Sequence, residues 1–179
     1  MNNLRENLRE NLAGRFWPVA VAVAGLLGAI LVSGAGRVES PGPNIGKQLL
    51  RDYAGNDNWS GLLKDPKVWP QIQKLLGPQL HHLEQNLDVS GAVDVVGGDL
   101  NINGNAPHQG TEEEAAVCVN TYNLEASAAI YSKGSITIFS RANSYDGVSR
   151  CIKDWITLVN TQHRDRMSQP KNVRLAGGK

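Results

Sequence analysis

The chain is expected to fold as an α+β protein: short helices first, then a mostly antiparallel sheet of four to five strands, then one amphipathic helix. Three observations lead there. Apolar residues recur at helical spacing between positions 45 and 87. The period falls to two from there to Phe139, and a helical stripe returns over Val148 to Asn160. Runs of helices and strands segregated in this way fit helices covering one face of a meandering sheet.

Ahead of this region lies an uncharged run of 21 residues, Phe16 to Gly36, bounded by Arg15 and Arg37. At ~1.5 Å per residue it spans ~32 Å, the thickness of a bilayer's hydrocarbon core, and it is expected to be a transmembrane helix. Arg5, Arg9 and Arg15 precede it, whereas Arg37 stands beside Glu39 after it. The excess of arginine places residues 1–15 in the cytoplasm and the rest outside the inner membrane, in the periplasm. Two readings of the run stay open. It is a retained signal anchor, or a signal peptide cleaved after Ala35, where Ser33-Gly34-Ala35 supplies small residues. Ala20, Ala24 and Gly28 form a small-residue face suited to a homo-oligomer, although small residues are common in any membrane helix. The repeat NLRE-NLRE-NL puts Leu4, Leu8 and Leu12 on one face of a short solvated extension.

Residues 37–44 are a linker, stiffened by Pro41 and Pro43. The exported domain is expected over 45–160. Its first helix carries Leu49, Leu50 and Tyr53 on one side, and Trp59, Leu62 and Leu63 form a second short apolar face. Asp65-Pro66 is a helix start signal. Val68, Trp69, Ile72, Leu75 and Leu76 follow as one stripe until Gly77-Pro78. Leu87, Val89, Val93 and Val95 then alternate, and Gly97-Gly98 turns the chain into a strand with Leu100 and Ile102. A loop, GNAPHQG, precedes three glutamates and the strand Ala115 to Tyr122. Ala126, Ala128 and Ile130 pair through the hairpin Ser132-Lys133-Gly134 with Ile136 and Ile138. Val148, Ile152, Trp155, Ile156 and Val159 form the last helical stripe, and residues 161–179 read as a basic, disordered tail.

The chain has 18 basic and 17 acidic residues; setting aside Arg5, Arg9, Arg15, Glu6 and Glu10 leaves 15 of each from position 37 on. That balance, without a basic stripe or a stacking platform, argues against nucleic acid as a partner. Two cysteines, Cys118 and Cys151, invite a disulfide in an exported domain, and each also suits a small buried hydrophobe. No nucleophile elbow, zinc-protease motif, phosphate loop or dinucleotide fingerprint occurs, so neither a catalytic residue nor a cofactor is assigned. His81 and His82 are adjacent, pointing about 100° apart on a helix, and do not suggest a metal site. The most distinctive surface is the loop Asn103 to Glu114, with Asn105, Pro107 and His108 between glycines. Tyr122 and Asn123, at the next turn, are the second choice.

The stretch Glu114 to Trp155, with its strands ASAAIYS and SITIFS and a helix containing DWI, resembles the inhibitor of vertebrate lysozyme family of bacterial envelope proteins. Upstream, WSGLLKDPKVWP resembles that family's N-terminal helical segment. The family's inhibitory loop reads Cys-Lys-Pro-His-Asp-Cys, and its His enters the lysozyme active site. Here Cys118 is followed by Val119-Asn120-Thr121-Tyr122-Asn123, with neither a second Cys nor a His, while Pro107-His108 stands in the preceding loop. The resemblance implies a non-enzymatic inhibitor or immunity protein. It would block a periplasmic protein partner, a peptidoglycan hydrolase or delivered toxin; the family's inhibitory residues transfer to no position here, so the contact residues are expected from the loops themselves, Asn105, Pro107 and His108 first and Tyr122 and Asn123 second. The alternative is a single-pass accessory subunit of a cell-envelope assembly.

Overall fold

A computed structural model describes residues 43–162 and 172–176, all within one compact unit spanning 38–179. The expected transmembrane run, Phe16 to Gly36, lies outside the described residues. Among those described, no helix is long and apolar enough to cross a membrane.

Among the described residues, seven strands form one sheet. They are β1 Val89–Ser90, β2 Asp94–Val96, β3 Asp99–Asn105, β4 Glu113–Asn120, β5 Ala126–Ser132, β6 Ser135–Phe139 and β7 Val173–Ala176. The order is β1-β3-β4-β5-β6-β7, with β2 also paired to β3. All pairings are antiparallel except β6 with β7. The sheet exceeds the four to five strands expected. Val173–Ala176 fall in the expected disordered tail yet pair along the free edge of β6, where Ile136 N donates to Asn172 O (2.7 Å).

Helices cover both faces, which corrects the one-sided arrangement expected. Four short helices pack on one face: α1 Pro43–Tyr53, α2 Trp59–Leu63, α3 Trp69–Leu76 and α4 Leu80–Gln85. Their Leu49, Leu62, Ile72 and Leu83 meet Leu100, Ile102, Ala115, Val117, Val119 and Ile130. On the other face lies α5, Arg150–Gln162. Its Ile152, Trp155, Ile156 and Val159 meet Ala116, Cys118, Ala129, Ile136 and Ile138. Alternation along β4 thus feeds two cores, because successive side chains leave a strand on opposite sides.

Local chemistry explains the joints. Gly97 and Gly98 (φ 60° and 91°) close the β2–β3 hairpin, and Lys133 and Gly134 (φ 49° and 84°) close β5–β6, both with the two positive φ values of a type I′ turn. Asp65 accepts from Lys67 N (2.9 Å) and starts a turn rather than the helix itself, since α3 begins at Trp69. Gln71 of α3 donates to Leu124 O (2.8 Å) and accepts from Ala126 N (3.4 Å), fastening the helical layer to the start of β5. Gly46 of α1 approaches Thr121 so closely that a Cβ there would overlap its carbonyl.

Cys118 of β4 and Cys151 of α5 form a disulfide, with Cα atoms 6.2 Å apart. It closes a loop of 33 residues in sequence separation and pins α5 to the central strand. Constraining the unfolded chain in this way contributes about 2–4 kcal/mol. The double variant Cys118→Ser, Cys151→Ser should lose about that much in urea unfolding, with α5 the first element to lose amide-exchange protection. An unchanged midpoint would show that the sheet holds α5 without the bridge.

Candidate functional site

The two loops singled out by sequence lie at opposite ends of the sheet. The β3–β4 connection holds Pro107 and His108, and the β4–β5 connection holds Tyr122 and Asn123. The eight residues of β4 separate them, about 24 Å at ~3.4 Å per residue. They are two poles, not neighbouring parts of one surface.

At the first pole the chain leaves β3 at Asn105 and re-enters the sheet at Glu113. Ala106 is buried and its N–H donates to Glu113 O (3.0 Å), closing the neck of the hairpin. Gln109 N donates to Ala106 O (3.0 Å), so residues 106–109 form a β-turn. Pro107 holds the second position, where its fixed φ is pre-set for the turn. His108 holds the third at φ 62°, the left-handed conformation that a type II turn demands there. Glycine usually fills that position; a side chain there costs roughly 1–2 kcal/mol. Strain of this kind persists where the surroundings enforce it, and it is concentrated at functional tips. Gln109 O then accepts from the N–H groups of Thr111 (2.9 Å), Glu112 (3.0 Å) and Glu113 (3.0 Å), which ties the return of the loop. Pro107 through Glu112 are exposed, so a stiff, strained turn holds the imidazole out in solvent.

Asn105 does not reach the tip. Its Nδ2 donates to Ala106 O (2.8 Å), bracing the neck from beside it. A Cβ on Gly110 would lie 3.3 Å from Cγ of Asn105, so positions 105 and 110 face each other across the neck.

The root of this hairpin is anchored by a polar cluster that sequence reasoning missed. Glu113 Oε1 accepts from Ser132 Oγ (2.7 Å), and Oε2 pairs with His82 Nε2 (2.8 Å) and accepts from Asn86 Nδ2 (3.3 Å). Asn86, almost fully buried, also donates to Glu114 O (3.3 Å). Burial pushes the Glu113 carboxyl up, but the hydrogen bonds from Ser132, His82 and Asn86, with the charge of His82, together hold it below the usual carboxylate range. His82 therefore serves α4 as a clasp on the hairpin root. Among the described residues, no cluster of His, Cys, Asp and Glu could hold a metal ion.

The second pole is capped differently. Asn120 Oδ1 accepts from Tyr122 N (2.9 Å) and Asn123 N (3.1 Å), and Leu124 turns at φ 59°. Tyr122 is 78% exposed. Gly46 of α1 packs against Thr121, so the chain enters the domain at this pole.

The inhibitor of vertebrate lysozyme (Ivy) family matches residues 67–162. The chain belongs to this family. The match takes in both poles, the Glu113 cluster and the disulfide. No curated protein matches the chain, and no solved structure does.

The acid response of the hairpin root follows from Glu113. Its folded-state pKa is depressed, so the unfolded chain binds the proton first as pH falls. The stabilisation is present above the ordinary Glu value of about 4.3 and is lost as pH drops through the lower folded value. Glu113→Gln should lower the urea midpoint at pH 7 and flatten the acid limb of a midpoint-against-pH curve. A variant curve parallel to the parent's would show that the cluster carries no linkage.

Proposed function

We propose that the chain is a non-enzymatic inhibitor of a lysozyme-like peptidoglycan hydrolase, acting through the β3–β4 tip. The observation that carries this is the exposed His108, held in a strained Pro-His turn at the tip of the β3–β4 hairpin, in a chain that belongs to an inhibitor family. A preformed tip loses little freedom on entering a cleft, so more of its contact energy appears as affinity.

The order of residues supports the same tip. The six from Asn105 to Gly110 read Asn-Ala-Pro-His-Gln-Gly. Their Pro-His pair occupies the third and fourth places, as in Cys-Lys-Pro-His-Asp-Cys. The family's loop thus corresponds to this hairpin, not to the residues after Cys118, and Asn105 and Gly110 stand at the two cysteine places. Without cysteines at those places, this chain closes its neck with the bond from Ala106 N to Glu113 O and the Glu113 cluster.

Location supports the reading. The uncharged run from Phe16 to Gly36 and the arginines before it favour a periplasmic domain anchored in the inner membrane.

His108→Ala should weaken binding to a purified vertebrate lysozyme by tenfold or more, on the order of the 1–2 kcal/mol of a hot-spot residue, with an unchanged Tm. Tyr122→Ala, at the other pole, should leave affinity unchanged. Equal loss in both, or in neither, would overturn the tip assignment. Independently, Asn105→Cys with Gly110→Cys should form a second disulfide on oxidation and keep inhibitory activity; failure to cross-link would show that the two positions do not face each other in solution.

A further inference from the structure

We infer that the tip is only the centre of the interface, and that a collar on the α5 face completes it by gripping the rim of the same hydrolase's cleft. The inference rests on the inhibitor reading and adds a second docking surface to it.

A groove of about 460 Å³ opens beside the tip, between the β3–β4 hairpin and the C-terminal half of α5. Its floor is Asn103, Gly104 and Asn105, and its wall is Trp155, Leu158 and Gln162. The register explains why it is open. Asn101, Asn103 and Asn105 pair with Cys118, Ala116 and Glu114, so they share the α5 side of the sheet. The fully buried contacts of α5 lie on β4 to β6, with Val96, Val173 and Leu175 packed beside them, and the Asn103–Asn105 end of β3 is left outside.

Leu158 is the informative residue. It lies off the buried stripe of α5 and is 51% exposed, on the wall of this groove. Val89 is 50% exposed and pairs with Asn105, which places its side chain on the same side of the sheet at the other edge. Two exposed aliphatic side chains therefore flank a floor of two amides and one carboxylate, Asn103, Asn105 and Glu114, at the base of the His108 tip. Apolar anchors beside a few hydrogen-bonding groups suit an interface, and the single carboxylate gives the groove one acidic point. The groove is continuous with the tip, since Asn105, Gly110 and Thr111 belong to both. Glu114 lines the groove, so the matching rim should be apolar with a basic edge.

The test uses the full chain in detergent. Its probes are a purified vertebrate lysozyme and a peptidoglycan hydrolase from the bacterial envelope, with binding read by calorimetry. Leu158→Glu and Val89→Lys should each weaken binding at least about fivefold, and together more, with Tm unchanged because both side chains are already in solvent. Loss in His108→Ala alone, with the collar variants at parental affinity, would overturn the collar and leave the tip reading standing. Loss in the collar variants alone would support the collar and overturn the tip. A parent chain that binds neither probe would overturn both.

Discussion

Strand β4 is the constraint on which the rest of the molecule depends. From Ala115 to Val119 every side chain is buried, and neighbours alternate between two cores. A strand buried on both faces needs a helical layer on each side and a hydrogen-bonded neighbour on each edge, since unpaired backbone groups cannot be left in an apolar interior. Helices α1 to α4, helix α5, and strands β3 and β5 meet those needs. The Cys118–Cys151 bridge then binds the second layer to the strand itself. The consequence for function is geometric. The hairpin that precedes β4 and the one that follows it must emerge at opposite ends, so a partner engaging one does not reach the other.

Much of this is legible in the sequence, and the failures are instructive. The helices, the turns at Gly97-Gly98 and Lys133-Gly134, and the stripe of α5 follow from spacing and turn chemistry. The second helical layer does not, because β4 reads as a short apolar run, and such a run gives no phase from which to count faces. Leu87, Val89, Val93 and Val95 look like one alternating strand. Gly91 and Ala92 interrupt it, so Leu87 and Val93 are buried while Val89 and Val95 face solvent. Val173–Ala176 carries no signal of its own; four residues with a charge among them become a strand only because β6 offers an unpaired edge. For the site, the Pro107-His108 pair was visible as a distinctive loop. The strained turn that holds it was not, because residue order alone does not set a positive φ at a histidine; nor does it decide whether Cys118 is bridged. The bond that cysteine makes is to the helix layer, and it has no part in shaping a loop.

The Glu113 cluster shows how the tip is held without sulfur at its neck. A two-residue cross-link fixes a hairpin by covalent closure, whereas here the neck is fixed from behind. His82 and Asn86 belong to the α4 region and Ser132 to β5, so three side chains from two separate parts of the chain converge on one carboxylate at the first residue of β4. Each bond is ordinary in strength, but their loss would leave a partly buried carboxylate short of donors, which costs more than any one bond contributes. The orientation of the tip is therefore a property of the whole helical layer. Substitutions in α4, far from His108, act on the geometry of that turn.

This arrangement also explains why a positive φ at His108 is tolerable. The strain is local, of roughly 1–2 kcal/mol, while the anchoring on both sides of the turn is distributed over backbone bonds at Gln109 and side-chain bonds at Glu113. A loop that relaxed to relieve the strain would have to break several of those bonds together. The imidazole is consequently presented at a fixed height above the sheet, with the exposed Val89 and Leu158 set lower on either side. Such a profile, a narrow polar point rising from an aliphatic shoulder, complements a cleft with an apolar rim and a polar floor. A flat surface would leave the point unmatched, and a partner lacking a cleft could touch either the tip or the shoulder but not both.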